Sequence, residues 1–172
     1  MQQKILDIGR LEMKSDEIKL QPVDVCEIVG RRVEDCATVD DHRHSFSFDC
    51  VQDALPALSA PHLIDRVIDN LLSNAVKYSP QGTRVGIRVW PENGWAVIVV
   101  EDSGIGIPEA ELPLLFTPFY RAGNSGDVSG SGLGLLIVKR SLELIGGEVR
   151  LESRLNIGTR VEVRIPLSNG PL

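Results

Sequence analysis

The sequence predicts an α+β fold, a two-layer sandwich in which one mixed, mostly antiparallel sheet is covered on one face by about three helices. Three observations predict it. Residues 61 to 78 carry the apolar pairs Leu63 and Ile64, Val67 and Ile68, Leu71 and Leu72, and Ala75 and Val76 at four-residue intervals, the period of a helix with a broad apolar face. Residues 83 to 90 and 95 to 100, joined by Pro-Glu-Asn-Gly, read as one hairpin; residues 147 to 152 and 159 to 165, joined through Asn156-Ile157-Gly158, read as a second. Strands and helices do not alternate regularly along the chain, which argues against a doubly wound parallel sheet.

The elements follow in order. Ile5, Leu6, Ile8, Leu11 and Met13 have a loose helical spacing, so residues 1 to 17 read as the end of a helix and a linker before a domain over 18 to 166. Asp24 followed by Glu27 is a capping-box-like start, and Val25, Val29, Val33 and Cys36 mark one face of a helix over about 25 to 37. His42 and His44 make an H-x-H pair that reads as a solvated turn rather than a metal site, because no third ligand stands nearby. Phe46 and Phe48 alternate with Ser45, Ser47 and Asp49 as in a half-buried strand, and a short strand near 55 to 58 leads into the long helix. Pro61 suits that helix's first turn and Pro80 stops it. A last helix over about 135 to 145 ends at Gly146-Gly147, and residues 167 to 172 read as a frayed tail.

Composition narrows the class. A chain of 172 residues has room for one domain with a real core. A net charge of −6 argues against a nucleic-acid binder acting through bulk electrostatics. Cys26, Cys36 and Cys50 are odd in number and form no C-x-x-C, so neither a disulfide framework nor a zinc site is indicated and a cytoplasmic, reducing setting fits. No apolar run approaches the roughly 18 residues of a membrane helix, so no direct membrane insertion by this stretch is expected, though a membrane-anchored parent is compatible.

Four segments carry chemistry. On the long helix, at about 100° per residue, Asn74 lies about +40° and Lys77 about −20° from Asn70, so two amides and an ammonium share one stripe. That stripe can offer an oxygen to a metal and a cation to a phosphate, or it can be a solvated face. Asp102, directly after the buried strand and before Ser103-Gly104-Ile105-Gly106-Ile107, can accept a hydrogen bond from an amino-bearing ring, or simply begin an Asp-Ser-Gly turn. Pro-Leu-Leu-Phe-Thr-Pro-Phe-Tyr-Arg over 113 to 121 leads into residues 122 to 131, too polar and glycine-rich to hold one conformation unaided: a ligand-ordered lid or plain surface loop. Gly130-Ser131-Gly132-Leu133-Gly134-Leu135 opens the last helix with backbone N–H groups that can converge on an anion, although Gly-x-Gly-x-Gly alone is weak and matches neither a Walker loop nor a dinucleotide fingerprint.

Together and in this order the four segments resemble the N, G1, F and G2 boxes of the histidine-kinase-type ATPase superfamily, whose members adopt the Bergerat ATP-binding fold and include type II topoisomerases, mismatch-repair ATPases and a heat-shock chaperone. The resemblance covers roughly residues 18 to 166 and implies a cofactor set of ATP and Mg²⁺. It implies that Asn74 ligates the metal, that Asn70, Lys77 and Arg121 act on the phosphates, and that Tyr78 flanks the nucleotide. Asp102 would take the adenine amino group beside Gly104, Gly106 and Ile107. Phe116 and Phe119 would anchor the lid next to Tyr120 and Arg121, and Gly130, Ser131, Gly132, Leu133, Gly134 and Leu135 would form the phosphate loop. Thr159 would reach adenine through water. Ala60 stands where many members have Asp, and the family's phosphoacceptor-histidine box is nowhere in the chain.

The resemblance therefore implies the catalytic domain of a two-component sensor histidine kinase, transferring the γ-phosphoryl to a histidine on a separate dimerisation domain and working with a response-regulator receiver domain. A superfamily ATPase or serine kinase is the alternative. Its members carry Glu four residues before the metal-binding Asn, where this chain has Asn70, which cannot accept a proton at neutral pH. A degenerate nucleotide-binding regulatory module is the third reading, opposed by intact Asn74, Asp102 and glycine loops.

Overall fold

A computed structural model describes residues 18 to 126 and 128 to 168. The helix end expected within residues 1 to 17 and most of the expected tail lie outside the described residues.

The central strands are apolar and β-branched, and the sheet forms around them. β1 (Gln21–Asp24) is followed by α1 (Val25–Asp40), β2 (Ser45–Cys50), β3 (Pro56–Ser59), α2 (Pro61–Tyr78), β4 (Arg84–Glu92) and β5 (Trp95–Asp102). Two short 3₁₀ turns, Glu109–Leu114 and Gly123–Ser125, precede α3 (Gly134–Leu144), β6 (Glu148–Arg154) and β7 (Gly158–Pro166). The five-stranded sheet has the order β2-β4-β5-β7-β6, with β2 and β4 parallel and the other neighbours antiparallel. α1, α2 and α3 cover one face, as the sequence predicts.

β1 and β3 form a separate antiparallel pair that the sequence does not announce. A four-residue strand containing Pro22 has too little alternation to register, and its partner alone defines it. Asp24, at the N-cap of α1, ties this pair to the helix. Its Oδ1 accepts from Cys26 N at 2.9 Å and Leu55 N at 3.0 Å. At the start of α2, Ala60 is fully buried and supplies no side-chain cap; Pro61 at the first helical position leaves one orphan donor fewer. The tail also starts later than expected, because Leu167 N bonds Gly94 O at 2.9 Å and Ser168 N bonds Pro56 O at 3.0 Å.

α2 is the spine of the helical layer. Leu63, Ile64, Val67, Ile68, Leu71, Leu72 and Ala75 are buried against the sheet and the flanking helices. On β5, Ala96, Ile98 and Val100 point into this core, and the same alternation puts Asp102 on the helix-facing side at the strand's end. Val97 and Val99 face the other way yet are fully buried. A lattice of ion pairs spans that open side: Glu92 to Arg164 (2.8 Å), Arg164 to Glu162 (2.9 Å), Glu162 to Arg160 (2.9 Å), Arg160 to Glu101 (3.2 Å) and Glu101 to Arg88 (3.3 Å). The aliphatic stems of the arginines can cover the valines while their charged ends stay wet.

Two expectations are corrected. His44 is not in a solvated turn. It is 8% exposed, its Nδ1 lies 2.9 Å from Asp40 Oδ1, and its Nε2 lies 3.2 Å from the Ser79 carbonyl just after α2. The Asp40 carboxylate also accepts from His44 N at 2.7 Å. The apparent turn conceals a buried polar joint between α1, β2 and α2. Burial by itself would raise the Asp40 pKa, but the His44 hydrogen bonds and the nearby positive charge more than offset it and hold the carboxyl below its usual range. Second, Cys26 and Cys50 form a disulfide, with Cα atoms 6.1 Å apart, and Cys36 is free. Folding brings the first turn of α1 beside the end of β2, a proximity that spacing rules cannot read, and the cysteine pattern no longer argues for a reducing compartment.

Asp40→Asn is expected to lower the unfolding free energy by about 1 to 3 kcal/mol at neutral pH, since Asn offers one accepting oxygen where the carboxylate meets both the His44 N and Nδ1. A depressed carboxylate pKa stabilises the fold above the unfolded pKa, and that contribution is lost as pH falls through the folded value. The difference between parent and variant should therefore shrink in acid. Denaturant unfolding across pH 2 to 7 checks it; a gap independent of pH would assign the effect to packing rather than charge.

Candidate functional site

The last turns of α2, the end of β5, the start of α3 and the loop before α3 enclose a cleft. Its floor is apolar and comes from Leu71 and Ala75 of α2 with Val100, Leu151 and Val161 of the sheet. Flat apolar walls with a few fixed polar groups suit a planar ring.

The wall beyond the floor is built on Asp102. Its Oδ1 accepts from Gly104 N at 2.8 Å and Thr159 N at 3.2 Å, while Oδ2 has no bond to the described protein. Burial pushes this carboxyl's pKa up, and the two backbone N–H bonds only partly offset it. Thr159 stands directly across from Asp102 in the β5–β7 register. Ser153 Oγ accepts from Ile107 N at 2.9 Å and donates to Gly158 O at 2.9 Å. Its one proton is therefore committed, so the 2.9 Å bond between the two hydroxyls is donated by Thr159, which keeps only lone pairs for a ligand. Gly106, at φ +63°, closes on the backbone of Arg154 and Leu155, where no side chain would fit.

α2 and this wall are joined. Ile105 N donates to the Tyr78 carbonyl at 3.0 Å, which satisfies a terminal helix carbonyl and sets the loop after β5 against the helix end. Asn70 and Asn74 face the start of α3. A Cβ placed on Gly134 would lie 3.2 Å from Asn70 Oδ1 and 3.7 Å from Asn74 Oδ1. Asn70 Nδ2 donates to Arg66 O at 2.7 Å, which leaves its oxygen toward α3. α3 has no side-chain cap, so its first N–H groups and their dipole remain for an anion between the glycine loop and the two amides. Gly132, at φ +69°, lies under the backbone of Phe119 and Tyr120, and a Cβ there would be 2.6 Å from the Phe119 carbonyl carbon.

Of the residues named from sequence, the cleft is lined by Asn74, Lys77, Tyr78, Asp102, Gly106, Ile107, Tyr120, Arg121, Gly130, Ser131, Gly132, Gly134, Leu135 and Thr159. Asn70 stands just behind Gly134, and Gly104 packs on the Tyr78 carbonyl rather than facing the cleft. Leu133 is fully buried at the N-cap of α3. The aromatic anchors are placed otherwise than expected. The Phe116 ring centroid lies 5.9 Å from Lys139 Nζ on α3, and Phe119, at φ +62°, leaves its side chain 63% exposed while its backbone packs over Gly132. Arg121 Nη2 turns back on its own loop, to Ser125 Oγ (3.4 Å), Gly126 O (3.2 Å) and Val128 O (2.5 Å). Glu111 Oε2 holds the loop's entry by accepting from Tyr120 OH at 2.6 Å and Gly123 N at 2.8 Å.

Sequence reasoning missed the apolar floor, since Val100, Leu151 and Val161 read only as strand core, and it missed Asn124, Ser125 and Ser129. Asn124 had no signal of its own in a glycine-rich loop.

Residues 59–169 match the model of the histidine kinase-, DNA gyrase B- and HSP90-like ATPase family. The chain belongs to this family. It is the ATP-binding catalytic domain of the histidine-kinase type. It is 33% identical over 170 residues to the sensor protein RprX of Bacteroides fragilis (strain YCH46), covering 96% of this chain and 33% of that protein. The domain thus spans about a third of that relative's length. Among solved structures, the mycobacterial sensor histidine kinase MprB matches with a TM-score of 0.78 at 32% identity, covering 86% of this chain and 98% of that one. Full-length ShkA, solved with AMPPNP, matches with a TM-score of 0.83 at 22% identity, covering 98% of this chain and 35% of that one, a likeness of fold.

A neutral side chain at Asp102 should separate fold from function. A raised carboxyl pKa means that the ionised form costs stability at neutral pH, a cost relieved as pH falls through the folded value. Asp102→Asn is therefore expected to raise the melting temperature of the free domain slightly while weakening adenine nucleotide binding about tenfold to a hundredfold. In the parent, affinity should begin to fall at a higher pH than an ordinary carboxylate would give. Thermal scans and calorimetric titrations with ATP and GTP check both; undiminished adenine preference in the variant would remove Asp102 from the site.

Proposed function

We propose that the domain binds ATP with Mg²⁺ and transfers the γ-phosphoryl group to a histidine on a separate dimerisation domain of its parent protein. The observation that carries this reading is the pair of amides, Asn70 and Asn74, set against the uncapped start of α3 at Gly134. The donor set fits a hard cation in a phosphate site through the amide oxygen of Asn74, while the buried Ser131 hydroxyl, without a partner among the described residues, suits a phosphate oxygen. When bound, the magnesium ion supplies neutralisation of phosphate charge.

The chain's own residues supply position and charge. Asn74 offers Oδ1 to the metal, Asn70 Oδ1 borders the same space, and Lys77 and Arg121 bring positive charge to the mouth. The N–H groups at the start of α3 receive the phosphate oxygens, and Asp102 Oδ2 takes the adenine amino group. In the transfer, an imidazole nitrogen of the acceptor forms a bond to the γ-phosphorus as the bond to the β,γ-bridging oxygen breaks, and ADP leaves. Position 70, four residues before Asn74, is an amide that cannot serve as a base for water or a hydroxyl; this favours the imidazole acceptor over an ATPase or serine kinase. The AMPPNP bound by ShkA supports a nucleotide in the same fold.

Residues 1 to 17 would be the end of the dimerisation helix and its linker, and a response-regulator receiver domain would take the phosphoryl group onward. Among the described residues no helix is long and apolar enough to cross a membrane.

Incubation with γ-labelled ATP tests the proposal. Acid-labile label is expected only when the parent's dimerisation domain is added, and Asn74→Ala should reduce it by about a hundredfold or more. Label on this chain alone, or rapid phosphate release without acceptor, would overturn the histidine-kinase assignment.

A further inference from the structure

Asn124 lies in the short 3₁₀ turn of the loop that closes the cleft, and its two amide ends have different fates. Nδ2 donates to the carbonyl of Gly106 at 2.8 Å, which fastens the loop to the wall built on Asp102. A carbonyl only accepts, so the nitrogen must be the end that faces Gly106, and the orientation of the amide is settled by its partner. The oxygen is then the other end. Asn124 Oδ1 is buried and has no hydrogen-bond partner.

Buried side-chain atoms without a partner are uncommon, and each asks for a reason. Among the described residues that line this cleft, Asn124 Oδ1 and Ser131 Oγ are the two such atoms. They differ in kind. A serine hydroxyl can donate, so Ser131 beside the glycine loop suits a phosphate oxygen. An amide oxygen can only accept, and at neutral pH the bridging and terminal oxygens of a triphosphate offer it no proton. A carbonyl oxygen facing a phosphate would be repelled. Because Nδ2 holds Gly106 on the wall built on Asp102, Asn124 Oδ1 belongs with the nucleoside half of the ligand rather than with the phosphates or a cation bound to them.

We infer that Asn124 is a specificity-determining residue that reads a hydrogen-bond donor of the nucleoside, a ribose hydroxyl or the second proton of the exocyclic amine, while its nitrogen latches the loop to Gly106. The inference rests on the nucleotide-binding function proposed above and deepens it. One side chain joins closure of the loop to the identity of the ligand, because a nucleoside without the matching donor leaves the buried oxygen unpaired when the loop is shut. Asp102 selects from the end of β5, and Asn124 selects from the closing loop fastened to the same wall at Gly106.

Calorimetric titration of the domain and of Asn124→Ala with ATP, 2′-deoxy-ATP, 3′-deoxy-ATP and purine riboside triphosphate, which lacks the amine, tests the inference. The parent should favour ATP over one of the three analogues by about threefold to tenfold more than Asn124→Ala does. The analogue whose penalty shrinks in the variant names the donor: a ribose hydroxyl for the deoxy compounds, the amine for the purine riboside, whose remaining penalty is the part read by Asp102. Asn124→Asp, which keeps an accepting oxygen and loses the latch to Gly106, should bind all four more weakly while retaining the parent's preference. If Asn124→Ala weakens all four ligands equally, Asn124 is only a brace for the loop and the inference fails. If the parent binds none of them, the nucleotide-binding function itself fails.

Discussion

The site depends on one junction, the 3.0 Å hydrogen bond from Ile105 N to the last-turn carbonyl of Tyr78. A helix end leaves carbonyls that must find donors, and β5 supplies one from its exit loop. The bond sets the C-terminus of α2, with Asn74, Lys77 and Tyr78, at a fixed height over the end of β5, with Asp102. Gly104 permits the approach, since a Cβ there would lie 2.5 Å from the Tyr78 oxygen. Groups from separate elements, those proposed to meet the phosphates and those proposed to meet the base, line one cleft through this junction.

Other contacts reinforce it from behind. His44 reaches the Ser79 carbonyl at 3.2 Å, one residue past α2, while Asp40 holds the imidazole at 2.9 Å. The turn between α1 and β2 thus restrains the same helix end that Ile105 restrains from the cleft side. On α1, Arg32 meets Asp69 of α2, with Nε to Oδ1 at 2.6 Å, and holds the two helices side by side. Exposed ion pairs of this sort contribute little to stability, but the buried Asp40 and His44 joint is costly to break. Rigidity is placed on the helix that must keep amides and an ammonium in register.

The closing loop follows a different logic. It is held by polar bonds to groups at its rim, with Glu111 at the entry, Arg121 folded on its own carbonyls and Asn124 on Gly106. Few apolar side chains are committed to it, and Phe119 stays in solvent. Segments held mainly by solvent-accessible hydrogen bonds open at low free-energy cost, which suits a cover that must admit a triphosphate and release a diphosphate.

The sequence by itself determined the helices, the hairpins and most of the polar set, because these are properties of spacing. Four-residue apolar pairing defined α2 and with it the stripe of Asn70, Asn74 and Lys77; alternation defined β4 to β7; and the end of an apolar run marked Asp102. Tertiary structure decided whatever depends on which distant residues meet. β1 is a strand only because β3 lies beside it, and Cys26 pairs with Cys50 only because α1 starts where β2 ends. His44 looked solvated until Asp40 and Ser79 closed around it. Asn124 carried no pattern at all, since its role lies in the difference between a paired nitrogen and an unpaired oxygen, and hydrogen-bond satisfaction is a property of the assembled cleft, not of the order of residues.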